Sequence, residues 1–134
     1  MALTQARNTP YRNGEFNNLK VEAGTVIYEG TLVVVNSGGY AEPGKTATGL
    51  TAAGRCEEYV NNSDGADGDV SVIVKRGCFL FNNSSTDAVT QASIMKDCYI
   101  EDDQTVCATD GANTKSIAGK VLEISSEGVW VEIK

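Results

Sequence analysis

The sequence lacks histidine, has only two prolines and one tryptophan, and contains no long hydrophobic run. Without histidine, the chain lacks the commonest metal ligand and the commonest general base at neutral pH. No stretch approaches the ~20 apolar residues of a membrane-spanning helix, so no membrane partner is predicted. The first residues, MALTQARNTPYRNGEF, lack the apolar core of a secretory signal, so we expect synthesis in the cytoplasm of a host cell.

Motifs of enzymes and of ligand-binding proteins are also missing. No serine or cysteine has a histidine partner, and residues 44–46 (GKT) lack the glycine spacing and the helix pattern of a phosphate-binding loop. Residues 64–69 resemble a calcium loop, but its twelfth position is Lys75 instead of glutamate. The acidic residues 101–103 have no second cluster, so we interpret them as the exposed turn of a tight hairpin between residues 99–100 and 105–108. We predict no enzyme activity, no cofactor and no metal, although a lysine, tyrosine or carboxylate mechanism stays formally open.

Charge is distributed unevenly along the chain, whose net charge is −7. Residues 1–20 carry three basic and one acidic side chain, a net charge of +2. The other 114 residues carry 8 basic and 17 acidic side chains, a net charge of −9. An acidic body repels phosphate backbones, so nucleic acid is not expected as a partner.

Four cysteines are present, and none has the CxxC spacing of a zinc site. In a reducing compartment we expect Cys56, Cys78, Cys98 and Cys107 to be free and mostly buried thiols. The alternative is a disulfide between Cys98 and Cys107, if the two lie opposite each other across a hairpin.

Strand patterns dominate from residue 21 onward. The strongest stretch is VEAGTVIYEGTLVVVNSGGYAEP, residues 21–43, which we interpret as a β-meander. Residues 31–35 hardly alternate, which predicts that both faces of this strand are covered. A loop is predicted over residues 44–53 and a strand over 55–60. Gly77, which lies between two strands, predicts either a bulge or a sharp corner of a barrel. Only residues 90–96 suit a helix, of a single turn.

The chain ends in a predicted hairpin of residues 117–124 and 129–133, joined by SSEG. Strand alternation places Val129, Val131 and Ile133 on one face and Trp130 on the other. Trp130 therefore either caps its own barrel or forms a subunit contact, since tryptophan is enriched at interfaces.

These patterns predict one mainly β domain. We expect a small β-barrel or sandwich of short antiparallel strands, with at most one short helix. Its body spans residues 21–134, and residues 1–20 form an extended N-terminal arm. The arm carries Leu3, Tyr11 and Phe16 without any period, together with Arg7 and Arg12. Such a segment is either a frayed terminus or an arm that orders on a partner.

The chain resembles the small capsid decoration, or cement, proteins of tailed bacteriophages and prophages. The resemblance is spread over MALTQARNTPYRNGEF, AGTVIYEGTLVVVNSGGYAEP, VNNSDGADGDVSVIVKRGCFLFNNS, CYIEDDQTVCAT and AGKVLEISSEGVWVEI, which together make up most of the chain. The four cysteines and the NNSS loop do not belong to that pattern.

The resemblance implies a structural function, since the family offers no catalytic motif. It implies a protein on the outside of the virion that stabilises the expanded head as a homotrimer, with the major capsid protein as partner. Leu3, Arg7, Tyr11, Arg12 and Phe16 would then form the capsid-binding arm. The alternative is another virion component, such as a tail or fibre protein, which an elongated, intertwined oligomer would indicate.

Overall fold

A computed structural model describes all 134 residues, Met1–Lys134. It contains one 3₁₀ turn, Gln91–Ser93, and twelve short strands. The strands are β1 (Phe16–Lys20), β2 (Thr25–Ile27), β3 (Leu32–Val35), β4 (Ala41–Pro43), β5 (Thr51–Cys56), β6 (Val60–Asn62), β7 (Ser71–Lys75), β8 (Gly77–Asn83), β9 (Asp97–Ile100), β10 (Thr105–Cys107), β11 (Ile117–Ser125) and β12 (Gly128–Ile133). The predicted mainly β fold is confirmed. No helix has the length and apolar character needed to span a bilayer.

The strands form three units. An antiparallel sheet has the order β1-β7-β5-β3-β4, a closed barrel has the order β10-β8-β12-β11-β9, and β2 and β6 form a separate ribbon. Strand pairs are antiparallel throughout, except that β8 and β10 run parallel. Closure of the barrel removes its free edges, and the β4 edge of the sheet is covered by the segment after β1, where Val21 and Ala41 form a parallel bridge.

Strand β3 lies between the two hydrophobic cores. Leu32 and Val34 belong to the barrel core, whereas Val33 belongs to the core between the sheet and the β2–β6 ribbon. All three side chains are fully buried. The absence of alternation in residues 31–35 therefore has the predicted cause, because each face of this strand meets a different layer. Full burial of such a side chain contributes roughly 1.5–3 kcal/mol.

Gly77 is the corner at which the chain leaves the sheet and enters the barrel. Its φ is +151°, a conformation that residues with a Cβ rarely adopt. Strand β7 ends at Lys75 in the sheet, and β8 begins at Gly77 in the barrel. The predicted corner is confirmed, and it links the two layers.

Both predicted hairpins in the second half of the chain are present. Strands β9 and β10 pair antiparallel around the acidic turn, and β11 and β12 form the closing hairpin. The helical piece predicted over residues 90–96 is the 3₁₀ turn Gln91–Ser93.

The predicted meander is right for β3 and β4, which form an antiparallel hairpin, and wrong for β2, which does not pair with β3. Strand β2 pairs with β6, and β3 pairs with β4 and β5. The predicted loop over residues 44–53 is too long, since β5 begins at Thr51, and the strand predicted over 55–60 divides at Cys56. Each error reflects a pairing between segments distant in sequence, which local patterns do not encode.

The predicted arm extends too far into the body. Residues Phe16–Lys20 form β1, whose five residues pair with β7. Leu19 packs against the core beneath the sheet, and backbone pairing supplies the rest of the attachment. The segment outside the sheet therefore ends at residue 15, and Phe16 belongs to the body.

Candidate functional site

The N-terminal arm, defined here as residues 1–15, extends away from the body. Leu3 is 71% exposed and Tyr11 is 91% exposed. Residues 1–11 make one side-chain hydrogen bond, from Arg7 to the Thr9 hydroxyl at 2.7 Å, which stays within the arm. Leu3, Arg7 and Tyr11 are therefore available to a partner.

The base of the arm is fixed to the sheet. Arg12 donates to the Phe16 carbonyl at 3.1 Å and to Asn17 Oδ1 at 3.0 Å. The ammonium of Lys75 lies 5.5 Å from the centre of the Phe16 ring and 3.4 Å from Glu15 Oε1. Of the five predicted arm residues, Arg12 and Phe16 thus have partners on the body. The other three are Leu3, Arg7 and Tyr11, which are not held in this way.

Trp130 lies on the outer face of the barrel, as strand alternation predicted. Its neighbours Val129 and Val131 are buried inside the barrel, while Trp130 is 36% exposed. Strand pairing sets Trp130 between Leu80 on β8 and Glu123 on β11. Leu80 is also exposed, so the two side chains form a small apolar area outside the barrel. Its role as a subunit contact stays a prediction.

A second aromatic area, which the sequence analysis did not identify, lies at the end of the β2–β6 ribbon. Tyr28 follows β2 and Tyr59 precedes β6, so antiparallel pairing sets the two side by side beyond the last pair, Ile27 and Val60. Their ring centroids are 5.5 Å apart at an interplanar angle of 44°. Tyr28 is 65% exposed and Tyr59 is 55% exposed. We call these two rings the tyrosine surface; the signal in the sequence was a tyrosine beside glutamate at each strand end.

A buried carboxylate, Glu42, lines a cleft of about 400 Å³ at the sheet edge. It accepts from Lys45 Nζ at 2.6 Å and from Asn36 Nδ2 at 2.9 Å. Burial alone would raise the pKa of Glu42, but the hydrogen bonds from Lys45 and Asn36 outweigh it and hold the pKa below its ordinary value. Burial, reinforced by the charge of Glu42, raises the pKa of Glu22. The two carboxyl groups therefore share one site with unequal affinity for protons.

A larger cleft of about 650 Å³ lies where the start of β5 faces β9 and β11. Ser116 fixes one wall, because its hydroxyl donates to the Ala47 carbonyl at 2.7 Å and accepts from the Leu50 amide at 3.1 Å. Lys115 also lines the cleft, and its ammonium lies 3.3 Å from the sulfur of Cys107. No carboxylate pair or activated nucleophile accompanies these groups.

All four cysteines are free, as predicted, and Cys78 alone is exposed. Burial raises the pKa of Cys98 to about 12 and also raises that of Cys56 and of Cys107. Pairing sets Cys107 opposite Tyr99 instead of opposite Cys98. No group of three or more cysteine or carboxylate side chains lies close enough together to hold a metal ion.

The arm, the Trp130 area and the tyrosine surface each bring two exposed apolar or aromatic side chains together, whereas Ile73, Met95 and Ile117 are further exposed apolar residues. Comparison with known protein families, with curated proteins and with solved structures found no match for this chain.

Proposed function

We propose that the chain is a structural virion protein that binds the outer surface of a tailed-phage or prophage capsid and stabilises it, acting as a homotrimer without catalytic activity. The observation that carries the proposal is the free arm. Its large apolar side chains, Leu3 and Tyr11, are 71% and 91% exposed, and residues 1–11 make no hydrogen bond to the body. The resemblance to capsid decoration proteins supplies the identity of the partner.

The arm suits an extended mode of binding. Residues 1–11 contain no regular secondary structure, so they can add as a strand to an exposed sheet edge of a capsid subunit. Main-chain hydrogen bonds would supply much of the affinity, and Leu3 and Tyr11 would fill pockets. Ordering the arm costs roughly 1–2 kcal/mol per residue in backbone entropy. Stable attachment therefore relies on many symmetric copies that bind together.

The test is to mix the purified protein with expanded heads that lack it and to measure bound copies by electron microscopy. A deletion of residues 1–11 is the sharpest variant, because it removes Leu3, Arg7 and Tyr11 but leaves Arg12 and β1 in place. We expect the deletion to keep the β signature and to lose head binding. A double variant, Leu3→Ser with Tyr11→Ser, should also lose binding, whereas Thr4→Ala with Gln5→Ala in the same arm should not.

Stabilisation is tested separately by heating decorated and bare heads. We expect decorated heads to release their contents at a higher temperature, because the bound copies tie neighbouring subunits together. Heads that bind the protein without any gain in stability would contradict the cement role. Deletion variants that bind as well as the full chain would contradict the role of the arm.

A further inference from the structure

Three glutamates flank the tyrosine surface along the chain, because Glu29 follows Tyr28, and Glu57 and Glu58 precede Tyr59. Glu57 is paired with the guanidinium of Arg55 at 2.9 Å. Glu58 accepts a hydrogen bond from the Ile73 amide at 3.3 Å. Glu29 is exposed and has neither an ion-pair nor a hydrogen-bond partner. The surface therefore combines two exposed rings with unneutralised negative charge.

The negative charges of these three glutamates act on the thiol of Cys56. Burial raises the pKa of Cys56, and the charges of Glu58, Glu57 and Glu29 raise it further. Glu29 and Glu57 line one cleft together with Cys56 and Arg55, although Glu29 is distant from Glu57 in sequence.

Such a surface has a defined chemical preference. The face of a tyrosine ring attracts a cation, and a guanidinium can stack on the ring while it pairs with a carboxylate. The matching group is therefore an exposed arginine on an extended segment, and lysine is a weaker substitute because it lacks the planar, bidentate geometry.

The arm contains such a group in Arg7. Its guanidinium is exposed and bonds only to Thr9 in the arm, whereas Arg12 is held by Phe16 and Asn17. The arm carries two basic and one acidic side chain, while the remaining 119 residues carry 9 basic and 17 acidic ones. The arm and the body are therefore complementary in charge.

We propose that Arg7 in the arm of one copy binds the tyrosine surface of a second copy, where its guanidinium stacks on Tyr28 or Tyr59 and pairs with Glu29. Within one chain, Arg7 and the tyrosine surface are both exposed and do not meet. Both groups are therefore free for a neighbouring molecule. A contact between two different surfaces of identical chains is heterologous, and it closes into a ring when three copies complete the rotation.

This contact rests on the homotrimer of the proposed function but does not require a capsid, so it can be tested without heads. It uses Arg7 and leaves Leu3 and Tyr11 free for the capsid. Loss of self-association with retained head binding, or the reverse, separates the two proposals.

The test is a charge exchange between copies of the full-length protein. Arg7→Glu places a carboxylate against Glu29, and Glu29→Arg places two guanidinium groups together, so each variant alone should self-associate about tenfold more weakly than the wild type. The double variant, Arg7→Glu with Glu29→Arg in the same chain, should recover association, because every contact between copies is then complementary again with the two charges exchanged. Sedimentation velocity of the wild type, of each single variant and of the double variant measures the effect.

The control is Glu127→Arg, which makes the same charge change in the exposed turn between β11 and β12 and should leave association unchanged. Circular dichroism and Trp130 fluorescence verify that every variant is folded. A wild type that stays monomeric at its highest soluble concentration would overturn the proposal. Failure of the double variant to recover would do so as well, since residues 7 and 29 would then not face each other between copies.

The tyrosines are tested separately from the charge. Tyr28→Phe and Tyr59→Phe keep the ring faces and should associate within about twofold of the wild type. The double variant Tyr28→Ser with Tyr59→Ser should weaken association by about tenfold. Equal behaviour of the Phe and Ser variants would exclude stacking on these rings and so contradict the proposal.

Discussion

The side-chain oxygen of Asn62 faces Gly65 so closely that a Cβ at residue 65 would collide with it. Asn62 is almost fully buried, and its Nδ2 donates to the carbonyls of Val21, Glu22 and Ala66 at 3.2, 3.0 and 3.0 Å. Its Oδ1 has no conventional hydrogen-bond partner and points toward the Gly65 backbone. One amide thus ties the turn after β6 to the segment between β1 and β2.

We expect Gly65→Ala to lower the free energy of unfolding by about 1–3 kcal/mol, because the added methyl group forces Asn62 out of its three hydrogen bonds. Urea unfolding at pH 7 measures the change. Gly38→Ala is the matched control: its φ is also not positive, and its Cβ would meet no atom closer than 3.4 Å. The control should change stability by less than about 0.5 kcal/mol. Equal changes in the free energy of unfolding for Gly65→Ala and Gly38→Ala would show that the collision with Asn62 does not destabilise the fold.

The cysteines should differ in reactivity, although all four are free. A thiolate is the attacking form, so the exposed Cys78 should be alkylated rapidly in the folded protein. Cys56, Cys98 and Cys107 should react only after unfolding, because burial both covers them and raises their pKa, to about 12 for Cys98. Mass spectrometry after timed alkylation should show one adduct under native conditions and four in denaturant. Rapid native labelling of a second cysteine would contradict the burial described here.

Local patterns in the sequence were sufficient to predict those structural features that depend on neighbouring residues in the chain. The unbroken apolar run of β3 indicated two covered faces, Gly77 indicated a corner, and alternation set Trp130 outside the barrel. These signals act through strand geometry, which repeats every two residues.

The tyrosine surface depends on the pairing of β2 with β6, which the tyrosine beside a glutamate at each strand end does not reveal. Tyr28 and Tyr59 are 31 positions apart, and their contact arises only when these two strands pair. The strand β1 was missed for a similar reason: of its five residues only Leu19 packs against the core, and β7 provides the backbone pairing. Local sequence does not encode such long-range pairings.

Trp130 offers a direct test of the outer face of the barrel. We expect Trp130→Ser to leave the protein folded, because the side chain lies outside the core, and to weaken the trimer if the Trp130 area forms a subunit contact. Buried tryptophans at interfaces commonly contribute at least about 2 kcal/mol, which corresponds to a more than tenfold weaker association. Light scattering against concentration measures the oligomer, and Ile117→Ser, an exposed apolar residue on β11, serves as the control. A trimer that is unchanged by Trp130→Ser would place the subunit contact elsewhere.

The pH dependence of stability should report on Glu42. Burial raises the pKa of Glu42 in the folded state, but the hydrogen bonds from Lys45 and Asn36 outweigh this effect, so the pKa is lowered overall. A group with a lowered folded-state pKa contributes stability above its unfolded pKa and loses that contribution as the pH falls through the folded pKa. Glu42→Gln should therefore lower the free energy of unfolding by about 1–2 kcal/mol at pH 7, because the buried site loses its ion pair. The loss is limited because the exposed Lys45 is then hydrated by solvent.

The difference in the free energy of unfolding between wild type and Glu42→Gln should shrink as the pH falls below the ordinary carboxyl value of 4.5. It should disappear once Glu42 is protonated in the folded wild type.

Glu22 should behave in the opposite way: burial and the charge of Glu42 raise its folded-state pKa, so its ionised form weakens the fold at pH 7. Glu22→Gln should accordingly stabilise the protein at pH 7 and have no effect in acid, where both forms are neutral. Urea unfolding from pH 3 to pH 8 measures both profiles, with Glu127→Gln in the exposed turn as the control. A Glu42→Gln penalty that persists unchanged at pH 3 would show that shape, and not charge, makes Glu42 necessary.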